Sequence, residues 1–209
     1  MTFRFVFFDV DSTLVTIEGI DVLGAGNREI ARLTERAMNG EIALEEVYAK
    51  RLEIIRPNRS AIDALGQRYI ESLTPGAAEA VATLRNSGVQ IHLVTAGIAQ
   101  AIQPLASHLG VPERAVHAVA LRFNDAGDYE DFDRRSFLTR NGGKELVVRD
   151  VRARSHGKAA FVGDGASDLE AKPAVDLFIG FGGVHVRPKV KEHAAVFAMT
   201  FDEALKALT

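Results

Sequence analysis

The sequence predicts an α/β fold, with a doubly wound, mainly parallel sheet and a small inserted helical cap. Two observations predict it. Short apolar segments typical of buried strands alternate with amphipathic helices through the carboxy-terminal part of the chain. The first strand, in contrast, is followed by a long stretch with helical periodicity alone. We therefore expect residues 1–14 and 75–209 to form the core and residues 15–74 to form the cap.

The core elements follow from apolar pattern and turn residues. Residues 3–9 indicate a fully buried strand, because the segment is short, rich in Phe and Val, and closed by turn residues. Further strands are expected at 89–95, 115–123, 129–132, 159–162, 177–179 and 196–199, and helices at 77–86, 98–109, from 144 onward and at 167–171. Ala126-Gly127 predicts a hairpin turn between two of these strands.

The cap is predicted from apolar residues that recur at helical spacing among charged ones. These residues are Ile30, Leu33, Ala37 and Met38, followed by Leu44, Val47, Leu52 and Ile55. Pro57-Asn58 breaks the run before another helix at about 60–73, and Thr74-Pro75-Gly76 marks the exit. The cap should lie over the core as a lid.

Composition narrows the class of protein. The chain has 209 residues, 47% of them hydrophobic and 25% charged, which suits one core with a subsidiary lobe. We find no apolar run long enough to cross a bilayer and no secretion signal, and the absence of cysteine agrees with a cytoplasmic location. A net charge of −3 argues against nucleic acid and favours a small-molecule partner. Monomer and homodimer both stay open.

Two carboxylates directly follow the first strand. Asp9 and Asp11, with Ser12 and Thr13 after them, lie beside an apolar core, where carboxylates need a metal ion, a cationic partner or a shifted pKa. The alternative is an ordinary turn at the end of a strand, since Asp and Ser favour turns.

Polar residues also end two other predicted strands, at Thr95–Gly97 and at Asp164–Asp168. Ligands bind at the carboxyl ends of parallel strands, so the three segments are expected to converge. Asp164 and Asp168 could then join Asp9 around Mg²⁺, because the chain offers no thiolate and oxygen ligands suit a hard cation. A capped helix start is the alternative for Asp164–Asp168.

This arrangement predicts phosphoryl chemistry. Asp9 would be the nucleophile, and Asp11 would protonate the leaving alkoxide and later deprotonate water. Thr95, the amides of Ala96 and Gly97, and Lys144 would stabilise the phosphoryl oxygens. Taken alone, Thr95 is equally consistent with a turn and Lys144 with a solvated helix start.

Four motifs together resemble the haloacid dehalogenase superfamily of phosphatases. They are Asp9-Val10-Asp11-Ser12-Thr13, Val94-Thr95-Ala96-Gly97, Gly142-Gly143-Lys144 and Gly163-Asp164-Gly165-Ala166-Ser167-Asp168. Within that superfamily, further segments are similar to the phosphoserine phosphatase family over nearly the whole chain. These are Glu18-Gly19-Ile20-Asp21, 34–40, Arg51-Leu52 and 180–186.

The resemblance implies a Rossmann-like core, a four-helix-bundle cap, and Mg²⁺ held by Asp9, Asp164 and the Asp11 carbonyl, with Asp168 in support. It also implies that Glu18 meets a substrate ammonium, Arg51 a substrate carboxylate, and that Met38 lines the pocket. The expected activity is hydrolysis of L-phosphoserine to L-serine through an aspartyl phosphate. A phosphatase or phosphotransferase for another small phosphorylated amine, or a non-catalytic phosphate-binding protein, are the alternatives.

Two departures from the family pattern concern the substrate. Thr95-Ala96-Gly97 replaces the usual Ser-Gly-Gly, and Leu44 stands where a Phe is common. Lys158 is an alternative to Lys144 as the cation that stabilises the phosphoryl oxygens, although Lys144 matches the position of the lysine in the family motif.

Other polar residues have no assigned role at this stage. By family position Arg187 is at the mouth of the site, but the sequence alone does not separate this from a surface position. The six histidines form no ligand cluster in the sequence. Each is expected to have a core or surface role.

Overall fold

The computed structural model describes residues 3–209. Its strands are β1 (Phe5–Phe8), β2 (Gln90–Ile98), β3 (Val116–Val119), β4 (Leu121–Phe123), β5 (Tyr129–Phe132), β6 (Ala159–Gly163), β7 (Leu177–Phe181) and β8 (Val196–Ala198). Its helices are α1 (Gly19–Leu23), α2 (Arg28–Met38), α3 (Leu44–Ile55), α4 (Arg59–Glu71), α5 (Ala77–Asn86), α6 (Ala99–His108), α7 (Gly143–Ala153), α8 (Ala166–Leu169), α9 (Pro188–His193) and α10 (Phe201–Leu208).

A six-stranded sheet in the order β3-β2-β1-β6-β7-β8 forms the centre of the protein. Every neighbouring pair in it is parallel. On one side of β1 the chain adds β2 and then β3. It then crosses to the other side of β1 and adds β6, β7 and β8. The expected Rossmann-like, doubly wound core is confirmed, and its switch point lies between β1 and β6, where such sheets bind ligands.

The two faces of the sheet differ in their aromatic side chains. On one face a row of rings crosses five strands, formed by His117, His92, Phe7, Phe161 and Phe178. On the other face, the rings of Phe8 and Phe181 pack against Phe201 of α10. All four residues of β1 are at most 1% exposed. The strand is therefore a buried support for the loop that follows it.

Four helices, α1 to α4, lie between β1 and α5. The two ends of this segment meet, because Val15 and Leu73 form an antiparallel bridge and the Thr16 amide donates to the Ser72 carbonyl at 2.8 Å. The segment also packs on the core through α4 and α6, where a Cβ at Gly66 would lie only 3.1 Å from Pro104 Cγ. These contacts support residues 15–74 as a cap, which we keep as a proposal.

The predicted strand at 115–123 is wrong as one element. β3 belongs to the main sheet, whereas β4 pairs antiparallel with β5 in a separate two-stranded sheet. The Gln100 side chain explains the break, since it donates to the Leu121 carbonyl at 2.7 Å and accepts from the Leu121 amide at 3.1 Å. These bonds replace the ladder bonds that a continuing strand would need. The expected hairpin turn is present, with Gly127 at a φ of +86°.

Two of the histidines meet, which the sequence did not predict. His92 Nδ1 lies 3.1 Å from His117 Nε2 across β2 and β3, with the rings stacked. Burial lowers the pKa of His92 to about 4, and the neighbouring His117 ring acts in the same direction. Within residues 3–209, we find no helix with the length and apolarity that a membrane span requires.

Candidate active site

The chain turns sharply as it leaves β1. Residues 10–14 form a single wide turn closed by the Val15 amide, which donates to the Val10 carbonyl at 3.1 Å. Ser12 adopts a φ of +54°, a conformation that costs energy outside glycine and clusters at functional loops. The turn brings Asp9 and Asp11 to the same buried edge of the sheet, where they are 2% and 9% exposed.

Lys144 connects two of the predicted carboxylates. Its Nζ lies 2.7 Å from Asp9 Oδ1 and 2.5 Å from Asp168 Oδ1, and all three side chains are buried. Gly142, at a φ of +73°, and Gly143 begin α7 and place Lys144 in its first turn. Burial alone would lower the pKa of Lys144, but the carboxylates of Asp168 and Asp9 outweigh burial and raise it, so the ammonium stays charged.

Lys158, the rival cation, occupies the opposite end of the sheet. Its carbonyl accepts from the Arg4 and Phe5 amides, at the amino ends of β1 and β6. This placement favours Lys144 over Lys158 as a partner for phosphate.

Asp164 follows β6, next to the end of β1. Its Oδ1 accepts from Thr13 Oγ1 at 3.1 Å, and its Oδ2 accepts from Arg187 Nε at 3.0 Å. Burial raises the pKa of Asp164 to about 7, and the nearby Asp168 adds to this. Arg187 therefore lies at the site rather than on a distant surface, and its Nη1 also donates to Asn39 at the end of α2.

Asp9, Asp164 and Asp168 form a buried carboxylate cluster, whose candidate ligand oxygens lie within 4.8 Å of one another. Lys144 and Arg187 supply two positive charges against the three carboxylates, which leaves negative charge without compensation. Burial, followed by the charge of Asp168, raises the pKa of Asp9 well above its ordinary value. The donor set and the excess charge fit a hard divalent cation. Asp164 and Asp168 each accept hydrogen bonds on both oxygens, but those to Asp168 are shorter, at 2.5 Å from Lys144 and 2.8 Å from the Gly165 amide. Asp168 is therefore less available to a metal than Asp164.

The Asp11 carboxylate has a different set of partners. Its Oδ1 accepts from the Gly19 amide at 2.7 Å and from the Tyr69 hydroxyl at 2.8 Å. Its Oδ2 faces Thr95 Oγ1 at 3.4 Å. Burial raises the pKa of Asp11, while the hydrogen bonds from Gly19 and Tyr69 oppose the shift. Asp9 and Asp11, two residues apart, are therefore held by different groups.

The Thr95–Gly97 segment lies within β2 where the pairing with β3 is interrupted, because the register shifts between Val94 and Ile98. Thr95 Oγ1 accepts from the Gly97 amide at 2.9 Å, and the Ala96 carbonyl accepts from the Tyr48 hydroxyl at 3.0 Å. The segment thus lies beside Asp11. In this state its Gly97 amide is engaged within the segment itself.

Glu18 and Arg51, the predicted substrate contacts, both line one cavity of about 270 Å³. Ser12 Oγ donates to Glu18 Oε1 at 2.5 Å, and Arg51 donates to Thr34 Oγ1 at 3.1 Å. Burial, followed by the charge of Asp11, raises the pKa of Glu18 well above its ordinary value. Arg51 is 6% exposed, and its Nε has no hydrogen-bond partner among the described residues.

The same cavity gathers most of the predicted site. Its lining includes Asp9, Asp11, Glu18, Met38, Arg51, Thr95, Ala96, Gly97 and Lys144, together with Leu44. Asp164 and Asp168 are fully buried and are not part of the lining.

Sequence reasoning missed several residues at this site. Tyr48 and Tyr69 line the cavity and donate hydrogen bonds into it, but at helical spacing they look like ordinary core aromatics. Thr34 links Arg51 to Asp21, donating to the Asp21 carboxylate at 2.7 Å. The feature of the sequence that could have identified them is a side-chain hydroxyl at a helix position that otherwise suits an apolar residue.

The chain is similar over most of its length to proteins of one family. The family model described as haloacid dehalogenase-like hydrolase matches residues 6–171. The phosphoserine phosphatase of Bos taurus is 37% identical over 207 residues, covering 97% of this chain and 92% of its own. The chloroplastic phosphoserine phosphatase of Arabidopsis thaliana is 38% identical over 210 residues, covering 97% and 71%.

A solved structure also superimposes over the full length of both chains. It is a phosphoserine phosphohydrolase-like protein from Francisella tularensis, with a TM-score of 0.89 and 26% identity. The chain therefore belongs to the haloacid dehalogenase-like hydrolases and is a phosphatase similar to the phosphoserine phosphatases.

Proposed function

We propose that the chain is a Mg²⁺-dependent phosphomonoesterase that converts L-phosphoserine to L-serine through a phosphorylated Asp9. One observation carries the proposal: Asp9 lies against Lys144 in a cluster of three buried carboxylates at the switch point of the sheet. The names of the relatives at 37% and 38% identity favour phosphoserine as the substrate. The absence of cysteine agrees with a reducing cytoplasm, where we place the enzyme in serine biosynthesis.

Asp9 and Asp164 would hold the metal, together with the Asp11 carbonyl, while Asp168 supports Lys144. When bound, Mg²⁺ would neutralise charge on a phosphoryl oxygen and orient the phosphorus toward Asp9. The hydrogen bonds that Asp168 accepts, from Lys144 at 2.5 Å and from Gly165 at 2.8 Å, are shorter than the two that Asp164 accepts, at 3.1 and 3.0 Å. This difference supports Asp164 rather than Asp168 as the metal ligand.

The chain's own residues then perform two half-reactions. A carboxylate oxygen of Asp9 attacks phosphorus, the bond from phosphorus to the ester oxygen breaks, and Asp11 donates its proton to the departing alkoxide. In the second half, Asp11 takes a proton from a water molecule as the water oxygen attacks phosphorus, and the bond from phosphorus to Asp9 breaks. Inorganic phosphate leaves, Asp9 is again a carboxylate, and Asp11 is again protonated. Lys144 lies beside Asp9 throughout and stabilises the charge on the transferred group.

The cavity also contains groups suited to the two charged ends of an amino acid. Glu18 would bind the substrate ammonium and Arg51 the substrate carboxylate, the latter through parallel hydrogen bonds from its guanidinium. Arg51 is suited to this because it is buried, charged and only partly hydrogen-bonded. Met38 and Leu44 supply the apolar wall.

Residues 15–74 carry both Glu18 and Arg51, whereas the core carries Asp9 and Lys144. We propose that this helical cap closes over the substrate, so that binding of the amino-acid end completes the site. The Arg187–Asn39 hydrogen bond, which joins α9 to the end of α2, is one contact that links the two parts.

Steady-state kinetics on phosphoserine, phosphoethanolamine, pyridoxal phosphate and a sugar phosphate test the substrate. We expect the largest kcat/KM for phosphoserine, because it alone in the panel offers both an ammonium and a carboxylate near the ester. A panel in which phosphoethanolamine or pyridoxal phosphate ranks equally would contradict this choice. It would favour a phosphatase for another phosphorylated amine, the reading that Ala96 and Leu44 suggest.

A further inference from the structure

We propose that Tyr69 is a positioning residue for Asp11. Its hydroxyl fixes one carboxylate oxygen, so that the other oxygen makes the proton transfer to the leaving group. The inference rests on the proposed function, in which Asp11 is the general acid and base. It adds a residue from α4 to a catalytic set that otherwise lies in the core.

The two oxygens of Asp11 are unequally occupied. Oδ1 accepts two short hydrogen bonds, from the Gly19 amide at 2.7 Å and from the Tyr69 hydroxyl at 2.8 Å. Two donors fill the in-plane acceptor positions of a carboxylate oxygen. Oδ2 faces Thr95 Oγ1 at 3.4 Å, near the outer limit for a hydrogen bond. Oδ2 is therefore the oxygen left for chemistry.

The surroundings of Oδ2 are open to the substrate. A Cβ at Gly97 would lie 3.1 Å from Asp11 Oδ2 and 3.1 Å from Thr95 Oγ1. Gly97 lines the cavity, so the lack of a side chain there keeps the approach to Oδ2 clear. The oxygen that Tyr69 leaves free is thus the one beside the Thr95–Gly97 segment.

Tyr69 is itself held rigidly. It is 1% exposed and belongs to the main core, and its helix packs closely on α6. A Cβ at Gly19 would overlap the Tyr69 hydroxyl, so the hydrogen bond depends on glycine at that position. A purely structural role would also explain a buried tyrosine with a satisfied hydroxyl. The test must therefore separate orientation of the acid from stability of the fold.

The test compares two substrates that differ in their need for an acid. The alkoxide of phosphoserine must be protonated as it leaves, whereas p-nitrophenolate leaves as a stable anion. In Tyr69→Phe we expect kcat/KM for phosphoserine to fall at least about tenfold, and kcat/KM for p-nitrophenyl phosphate to change by less than about twofold. The matched control is Tyr129→Phe, which removes the hydroxyl of a buried tyrosine outside the cavity lining. In that control, kcat/KM should be unchanged for both substrates.

An equal loss for both substrates in Tyr69→Phe, or no loss for either, would overturn the proposal. If Tyr69→Phe does not fold, Gly19→Ala perturbs the same hydrogen bond by displacing the hydroxyl. We expect the same selective loss in Gly19→Ala, and an equal loss for both substrates would again count against Tyr69.

Asp11→Asn separates this proposal from the proposed function. A fall in kcat/KM for phosphoserine in Asp11→Asn, with kcat/KM for p-nitrophenyl phosphate retained, supports Asp11 as the acid whether or not Tyr69 positions it. The comparison uses kcat/KM because hydrolysis of phosphorylated Asp9, which also needs Asp11, is common to both substrates and lowers kcat alone. Full activity of Asp11→Asn on both substrates would remove the acid itself, and the role of Tyr69 with it. If the panel identifies another alkyl phosphomonoester as the substrate, that ester replaces phosphoserine in the comparison.

Discussion

The Lys144 ammonium lies 2.7 Å from the Asp9 carboxylate, and both side chains are buried at the carboxyl end of the parallel sheet. The pair joins β1 to the first turn of α7, two elements far apart in the chain. A buried nucleophile needs a nearby cation both before and after it gains a phosphoryl group, because either charge is costly to bury alone. The proposed phosphorylation of Asp9 therefore depends on its contact with Lys144.

Replacement of the two candidate lysines should give opposite results. We expect Lys144→Ala to lower kcat by about 10²-fold or more, because a charged donor to the transferred group is lost. Lys158→Ala should stay within about twofold, since Lys158 lies at the amino end of the sheet. Single-turnover and steady-state kinetics on the folded variants measure both. A larger loss in Lys158→Ala would mean that the phosphate partner has been misassigned.

Arg51 should determine selectivity for the substrate carboxylate. In Arg51→Ala, kcat/KM for phosphoserine should fall about 10- to 100-fold, the range for losing hydrogen bonds to a charged group. Hydrolysis of phosphoethanolamine, which has no carboxylate, should change little. Lys50→Ala on the same helix is the control, because Lys50 is exposed and pairs with Glu29. The assignment fails if both substrates lose equally while Arg51→Ala remains folded.

Removal of the metal should abolish activity and also reduce stability. A cation that binds the folded state alone adds about 2.7 kcal/mol when its free concentration is about 100 times Kd. We expect Mg²⁺ to raise the Tm of the wild type, to have little effect in Asp164→Asn, and to restore turnover after chelation. Asp150→Asn, an exposed carboxylate paired with Arg154, should respond like the wild type. An equal Tm increase in Asp164→Asn would place the metal elsewhere.

The His92–His117 pair predicts a pH-dependent stability that is separate from the active site. The folded pKa of His92 is about 4, against an ordinary value of 6.5. As pH falls, the unfolded chain binds this proton first, so the contribution is complete above about pH 6.5 and is lost progressively toward about pH 4.

Urea unfolding of the wild type and of His92→Phe at pH 7.5, 6.0 and 5.0 measures this contribution. The difference between them isolates His92, because the buried carboxylates titrate in both proteins. We expect His92→Phe to lose less stability than the wild type as the pH falls. If the free energy of unfolding falls equally with pH in the two proteins, protonation of His92 is not coupled to unfolding.

The proximity of the site carboxylates could be predicted from the sequence for a physical reason. Asp9 and Asp164 are adjacent to apolar strands, and the carboxyl ends of parallel strands share one edge, so local pattern and topology together place them. The contacts of Tyr69 with Asp11 and of Gln100 with Leu121 could not be predicted from the sequence. Tyr69 is a core aromatic by its spacing, and only the packing of α4 brings its hydroxyl to Asp11. Gln100 binds the backbone of Leu121, which is 21 residues later in the chain and follows the end of β3.

The histidine pair shows the same limit. His92 and His117 belong to two strands whose register is set by pairing across the sheet. Neither residue carries a local signal of the other. The features that the sequence did not predict are therefore contacts between elements, whereas those it predicted are properties of strand ends.

Trapping of the phosphoenzyme tests directly whether Asp9 is the nucleophile. The enzyme is mixed with phosphoserine and Mg²⁺, quenched with acid within the first turnover, digested, and its peptides are analysed by mass spectrometry. We expect one acid-stable, alkali-labile phosphoryl group on Asp9 in the wild type and none in Asp9→Asn, which should keep its fold but lose turnover. Phosphorylation of a different residue, or sustained turnover by Asp9→Asn, would contradict it.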